Sequence, residues 1–168
     1  MPPWPNCLIL VVPLLIFNAL FTARLPEGLY HDEGVPRALL LPENALRGVV
    51  FVAPLWLPLS LERRGPLILF AAGAALYLLS WWPALADLPW ARHLAVYLLP
   101  HATPLIWLLA LAWMGESWPY AAASIVFFVV HTAHGVLAHR ALPQRGAYRL
   151  LFGPQPRRAR SHRSQRRP

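Results

Sequence analysis

Lysine is absent from this 168-residue chain, cysteine occurs once, and acidic residues number only seven. The single Cys7 excludes an intrachain disulfide and a Cys-x-x-Cys redox centre. Charged residues make up 13% of the chain, whereas about 25% is typical of soluble domains. The chain is rich in Ala, Leu and Pro, so the use of arginine alone indicates GC-rich coding. The low charge argues against a soluble globular protein.

Hydrophobic residues, at 57% of the chain, are concentrated in five apolar stretches. A segment that crosses about 30 Å of hydrocarbon must form a helix, because unpaired backbone amides cannot face lipid. The sequence therefore predicts an all-α, polytopic integral membrane protein, with a five-helix transmembrane bundle over residues 1–138. The predicted helices are 8–23, 45–61, 66–82, 93–114 and 119–137. A four-helix alternative stays open, in which one of the two shortest stretches lies in the interface.

The distribution of arginine predicts the orientation of these helices. With the C-terminus inside, the inner segments hold 13 of the 15 arginines and the outer segments hold only Arg63 and Arg64. An excess of Arg marks the cytoplasmic side, so the N-terminus is predicted outside and the C-terminus inside. Residues 1–6 contain no basic side chain, which argues against a secretory signal. The expected location is a bacterial-type cytoplasmic membrane, with the lipid bilayer and a membrane-protein partner or second copy as partners.

Nine of the arginines follow Ala138, in a segment that contains no acidic residue. The basic charge therefore belongs to a tail and not to a folded binding face, so nucleic acid is not an expected partner. This composition cannot bury enough apolar surface to fold, which predicts a disordered cytoplasmic tail over residues 139–168. Contact with anionic lipid headgroups is expected for six arginines: Arg157, Arg158, Arg160, Arg163, Arg166 and Arg167.

Three histidines within the predicted helices form the candidate polar site. At about 1.5 Å of rise per residue, His101 and His131 lie at similar depth in the inner half of the membrane, with His134 nearby. On a helical wheel, His131 and His134 share the face that also carries Tyr120 and Ser124, opposite a β-branched aliphatic face. The remaining members of the predicted inner polar site are Tyr97, Asn18 and Ser80.

The histidines admit three interpretations. Neutral imidazole ligates a metal or haem, which makes His101, His131 and His134 the candidate ligands. Imidazole also relays protons or contacts a substrate inside a membrane. The third interpretation is hydrogen bonding between helices, and the spacing alone favours it, because the general-base Glu of His-Glu-x-x-His and a Cys-x-x-Cys-His haem motif are both absent.

Three further patterns concern the start of the second helix, the first inner loop and the middle of the fourth helix. Pro42 and Glu43 are expected to open the second helix, with Glu43 paired to Arg47 one turn later. The cluster at residues 30–33 offers possible ligand atoms, but adjacent side chains do not converge on one ion. Pro100 and Pro104 predict a kink beside His101.

The sequence thus predicts a small transport or membrane-assembly component with a polar vestibule that faces the cytoplasm, without catalytic activity of its own and without a cofactor. The alternative is a haem- or metal-binding redox or sensory protein that uses the intramembrane histidines. These two classes differ in whether the purified protein carries a chromophore or a metal.

Overall fold

The structure, a computed structural model, describes residues 5–22, 24–25 and 34–152, with side chains to Leu142. The helices in this part of the chain are α1 (Leu8–Thr22), α2 (Arg37–Val52), α3 (Arg64–Ser80), α4 (Trp82–Leu85), α5 (Leu94–Ala102), α6 (Pro104–Met114) and α7 (Trp118–Phe152). Within the same residues no strand forms, so the predicted all-α fold is confirmed.

Four helical segments are long and apolar enough to cross a membrane: Arg37–Trp56, Arg64–Leu85, Leu94–Met114 and Trp118–Leu142. They correspond to the last four predicted helices and characterise a multi-pass membrane protein. The first predicted helix, 8–23, corresponds to α1. With 15 residues, α1 is about 22 Å long, which is less than the thickness of the hydrocarbon core.

The N-terminal segment forms backbone hydrogen bonds with the residues that follow Trp56. Asn6 and Pro58 form an antiparallel bridge, and the Cys7 amide donates to the Leu57 carbonyl at 2.9 Å. Cys7 is fully buried, and burial raises the pKa of its thiol to about 11. From this end α1 runs along the bundle until Asn18 meets Tyr77 near the far end of α3.

The second predicted helix, 45–61, differs in its bounds from α2. It begins at Arg37, so part of the expected inner loop is helical, and Pro42 and Glu43 lie inside the helix. At its other end, α2 passes into a 3-10 turn, Ala53–Trp56. Leu57 is extended because it precedes Pro58, and neither Pro54 nor Pro58 donates a backbone hydrogen bond, so the helix cannot continue to residue 61.

The predicted kink beside His101 is confirmed as a break between α5 and α6. Helix α5 ends at Ala102 and α6 begins at Pro104, with Thr103 between them. Since Pro104 has no amide hydrogen, the helical hydrogen-bond ladder is interrupted there. Thr103 donates both its hydroxyl and its amide to the Leu99 carbonyl.

Helix α7 corrects two predicted boundaries. It continues through Phe152, beyond the predicted end at 137, so the segment 139–152 is helical and not the start of a disordered tail. Nine of these 14 residues are Ala, Leu, Arg or Gln, which favour helix, and the helix continues through Pro143 and Gly146, which do not. The six arginines expected at lipid headgroups, from Arg157 to Arg167, lie outside the described residues.

Packing around Trp107 holds the spans together. Helix α3 packs on α6, and α2 packs on α7. Trp107, only 2% exposed, meets the rings of Phe51, Phe70 and Tyr77 at centroid distances of 6.2 to 6.3 Å. Beside Trp107 the helices do not pack closely. The gap between them lies toward the end of the bundle at which α2 begins.

Candidate functional site

A cavity of about 340 Å³ lies between α1, α2, α3, α5, α6 and α7. Its aromatic walls are formed by Phe51, Tyr77, Trp81, Tyr97, Trp107 and Phe127. Polar atoms come from Asn18, Thr22, Arg47, His101, His131 and His134. This volume lies at the small end of the range of about 300 to 1,000 Å³ that is typical of ligand pockets.

Glu43 is the centre of the polar cluster beside this cavity. Its side chain is 1% exposed, and one carboxylate oxygen accepts a hydrogen bond from Nδ1 of His131 at 2.8 Å. The second oxygen is paired with Nδ1 of His134, and Arg47 donates to the first. Burial of a charged carboxylate has a high desolvation cost, and these three partners offset that cost within a candidate membrane span.

The helices position this cluster through simple periodicity. Glu43 and Arg47 lie one turn apart on α2, and His131 and His134 lie one turn apart on α7. Residues separated by three or four positions share a helix face, so two packed helices bring four groups together. The predicted pairing of Glu43 with Arg47 is confirmed. The predicted inward orientation of His131 and His134 is confirmed as well, with side chains 18% and 11% exposed.

His101 extends the cluster from a third helix. Its ring lies 4.7 Å from that of His131 and 5.4 Å from that of Tyr97, centroid to centroid. Its Nδ1 lies 3.2 Å from the Tyr97 carbonyl, which fixes the plane of the ring. Gly135 makes this approach possible, since a Cβ there would lie 2.8 Å from Cδ2 of His101.

Asn18 and Ser80, two further predicted members of the polar site, bond to residues other than the histidines. Tyr77 donates its hydroxyl to Oδ1 of Asn18 at 2.5 Å and so joins α3 to α1. Ser80 donates to the Tyr77 carbonyl at 2.6 Å and lies 3.5 Å from the Thr103 hydroxyl. Ser80 therefore supports the helix break and does not line the cavity, whereas Asn18, Tyr97 and the three histidines do. Their part in a function stays a prediction.

Glu43 was missed as a site residue by reasoning from the sequence. The pair Pro42-Glu43 was interpreted as the first turn of a helix, a structural role. With the bounds that the structure gives α2, Glu43 is the only acidic residue in the four candidate spans. Ionisable residues within membrane segments usually serve a function and usually have a partner.

The three histidines are also the predicted candidate metal ligands. The described residues contain no group of three or more His, Cys, Asp and Glu side chains placed to hold a metal ion. His131 and His134 both direct Nδ1 to the Glu43 carboxylate, so only their Nε2 atoms could face a ligand. The cluster at residues 30–33 lies outside the described residues.

Comparisons of the chain with models of known protein families, with curated proteins and with solved structures find no match.

Proposed function

We propose that this chain is a small membrane transport component in which Glu43, His131 and His134 bind and release protons beside the cavity. The observation that carries this proposal is the burial of the Glu43 carboxylate between two histidines and an arginine within a candidate membrane span. Proton relays in membrane pumps and transporters use chains of Asp, Glu and His in this way.

The arrangement favours proton exchange because protonation changes the charge balance of the cluster differently at Glu43 and at the histidines. Protonation of Glu43 removes one charge from a buried site and leaves Arg47 without a full counter-charge. Protonation of a histidine instead creates a second cation next to the same carboxylate. In either case a proton changes the net charge beside the cavity, and a polar occupant responds to that change.

The proposed orientation is N-terminus outside and C-terminus inside, across a cytoplasmic membrane. This topology requires certain segments to lie on the same side of the membrane, and two contacts support that placement. Arg63 and Glu116, both assigned to outer loops, form an ion pair. At the other end, His139 of α7 bonds to the carbonyl of Arg92 at 2.8 Å. Helix α1 runs between these ends, which supports a fifth crossing, and the cavity would then open toward the cytoplasm.

The proposal is tested by proton binding inside the membrane. Proteoliposomes adsorbed on a solid-supported membrane are exposed to a step in pH, and the transient current is recorded. Protons that enter a site within the membrane displace charge, so wild-type protein gives a current that Glu43→Gln lacks. Glu116→Gln, with its side chain 68% exposed at the bundle end, is the control that keeps the current. Equal currents from wild type and Glu43→Gln overturn the proposal.

One observation favours the alternative function of metal or haem binding. Histidines that ligate a metal commonly donate their other ring nitrogen to a carboxylate, as His131 and His134 do to Glu43. An optical spectrum and metal analysis of the purified protein test this alternative. Stoichiometric metal or haem that is lost in both His131→Ala and His131→Gln supports it, because an amide is a poor replacement ligand.

A further inference from the structure

The two oxygens of the Glu43 carboxylate differ in the donors that they bind. Oε1 accepts hydrogen bonds from Arg47 and from Nδ1 of His131. Oε2 is paired with Nδ1 of His134, which is its hydrogen-bond partner among the described residues. A guanidinium always keeps its hydrogens, whereas each imidazole nitrogen exists with or without one. Oε1 therefore faces two donors, one of them permanent, and Oε2 faces a ring nitrogen that can also accept.

This difference decides where a proton is stable on Glu43. A protonated carboxyl group carries its hydrogen on one oxygen, and that hydrogen needs an acceptor. A hydrogen on Oε1 would point at the donors of Arg47 or His131 and displace one of them. A hydrogen on Oε2 meets Nδ1 of His134, which accepts a hydrogen bond when the imidazole carries its own hydrogen on Nε2. The donors therefore favour Oε2 as the oxygen that takes up the proton.

The packing of His131 supports the same distinction. Its ring is stacked on that of Phe127, with centroids 5.0 Å apart and 12° between the planes, and it lies 4.7 Å from the ring of His101. Two rings thus hold His131 with its Nδ1 on Oε1 of Glu43. Such contacts fix the orientation of a side chain that serves as a constant donor.

The cavity has the room and the surroundings to supply a proton to His134. Both His131 and His134 line the cavity, whereas Glu43 does not, so a histidine connects the cavity to the carboxylate. Its volume of about 340 Å³ is far above the roughly 10 to 15 Å³ that one water requires. Among the described residues, the ionisable side chains of the cluster around His134 are Glu43 and Arg47 on α2, His101 on α5 and His131 on α7.

From these contacts we infer that His134 passes protons between the cavity and Oε2 of Glu43, while His131 is a positioning residue that holds Oε1. The inference rests on the proposed function and assigns separate roles to the two histidines of that site. A proton binds Nε2 of His134, and the hydrogen on Nδ1 moves to Oε2. Glu43 is then neutral, His134 is neutral with its hydrogen on Nε2, and the cluster has gained one proton and one positive charge. Release reverses these steps.

The test replaces each histidine by asparagine, whose amide nitrogen is as many bonds from Cα as Nδ1 of histidine. His134→Asn keeps a donor for Oε2 but has no second ring nitrogen, and His131→Asn is the matched change at Oε1. Currents are recorded from proteoliposomes on a solid-supported membrane after a pH step. We expect the current of His134→Asn to rise about a hundredfold more slowly than that of wild type, the usual contribution of a positioned acid-base group.

His131→Asn should give a current that rises at the wild-type rate, but it should change the pH at which half of the charge moves, because a different donor binds the carboxylate. Equal rates in the two variants, or a slower rise in His131→Asn, overturn the assignment of proton transfer to His134. An unchanged rate together with an unchanged pH in His131→Asn overturns the positioning role. His93→Asn, at an exposed residue outside the cavity, is the control that keeps both quantities.

A second measurement decides the claim if His134→Asn does not fold. Nuclear magnetic resonance of wild-type protein in lipid, with isotope-labelled histidine, shows which ring nitrogen carries the hydrogen. Once Glu43 is protonated, we expect the hydrogen of His134 on Nε2 and that of His131 still on Nδ1. The opposite arrangement overturns the inference.

Failure of this inference is distinguishable from failure of the proposed function. If Glu43→Gln abolishes the current but the two asparagine variants rise at equal rates, the inference fails and the proton site stands. If the current is unchanged in Glu43→Gln, the proposed function fails, and the inference fails with it.

Discussion

The Glu43 carboxylate accepts a hydrogen bond from Nδ1 of His131 at 2.8 Å, although the two residues are 88 positions apart in the chain. This bond joins α2 to α7, which belong to the first and the last of the four candidate spans. Together with His134 and Arg47, it leaves no oxygen of the carboxylate without a donor. His101, on α5, contacts His131, so the cluster brings together three of the four candidate spans.

The first prediction concerns stability. Glu43→Gln should lower the free energy of unfolding by about 3 kcal/mol, because it removes one member of a buried charge network and leaves Arg47 and two histidines with a weaker acceptor. The measurement is unfolding of the purified protein by heat or detergent titration. Glu116→Gln breaks an exposed ion pair with Arg63 and should cost less than about 1 kcal/mol. Equal losses in the two variants would show that the Glu43 cluster contributes no more than a surface pair.

The second prediction tests the close approach of α5 and α7. Gly135→Ala places a Cβ 2.8 Å from Cδ2 of His101, whose ring is held between Tyr97 and His131. The variant should be less stable by about 1 to 3 kcal/mol, as is usual for overpacking. Gly48→Ala is the matched control, since a Cβ there meets nothing within 4 Å and alanine favours the helix. A Gly135→Ala protein as stable as Gly48→Ala would contradict this packing.

The third prediction concerns topology. A reporter fused after Leu61 should be external and one at the C-terminus cytoplasmic, because arginine is concentrated in the opposite set of segments. An N-terminal reporter should be external too, since residues 5–7 pair with residues 57–59. A cytoplasmic reporter after Leu61 would reverse the proposed orientation. Disagreement between the N-terminal and Leu61 reporters would contradict the bonded N-terminal segment.

Local periodicity was sufficient to predict much of this architecture. The alternation of residue types around α7 predicted that His131 and His134 face inward, while Ile125, Val126 and Val129 face outward, and the exposures agree. The two prolines near His101 predicted the helix break for a local steric reason. Such features depend on neighbours within one or two turns, so a single sequence contains them.

Contacts between distant segments could not be predicted in this way. Pro42 and Glu43 match a helix start, but α2 begins earlier, at Arg37, directly after Pro36. The partners of Glu43 come from α7, and no local pattern encodes that pairing. The predicted end of α7 at residue 137 was also wrong, because a fall in hydropathy does not by itself end a helix, and α7 continues past Pro143 and Gly146 to Phe152.

The central claim, that Glu43 takes up a proton inside the membrane, is tested most directly by infrared difference spectroscopy of the protein in lipid as the pH is lowered. We expect wild-type protein to develop the carbonyl stretch of a protonated carboxylic acid, with a component that is absent from Glu43→Gln and retained in Glu116→Gln. That component should move in frequency or in pH dependence in His131→Gln, because His131 bonds to the same carboxylate. Identical difference spectra from wild type and Glu43→Gln would contradict the claim.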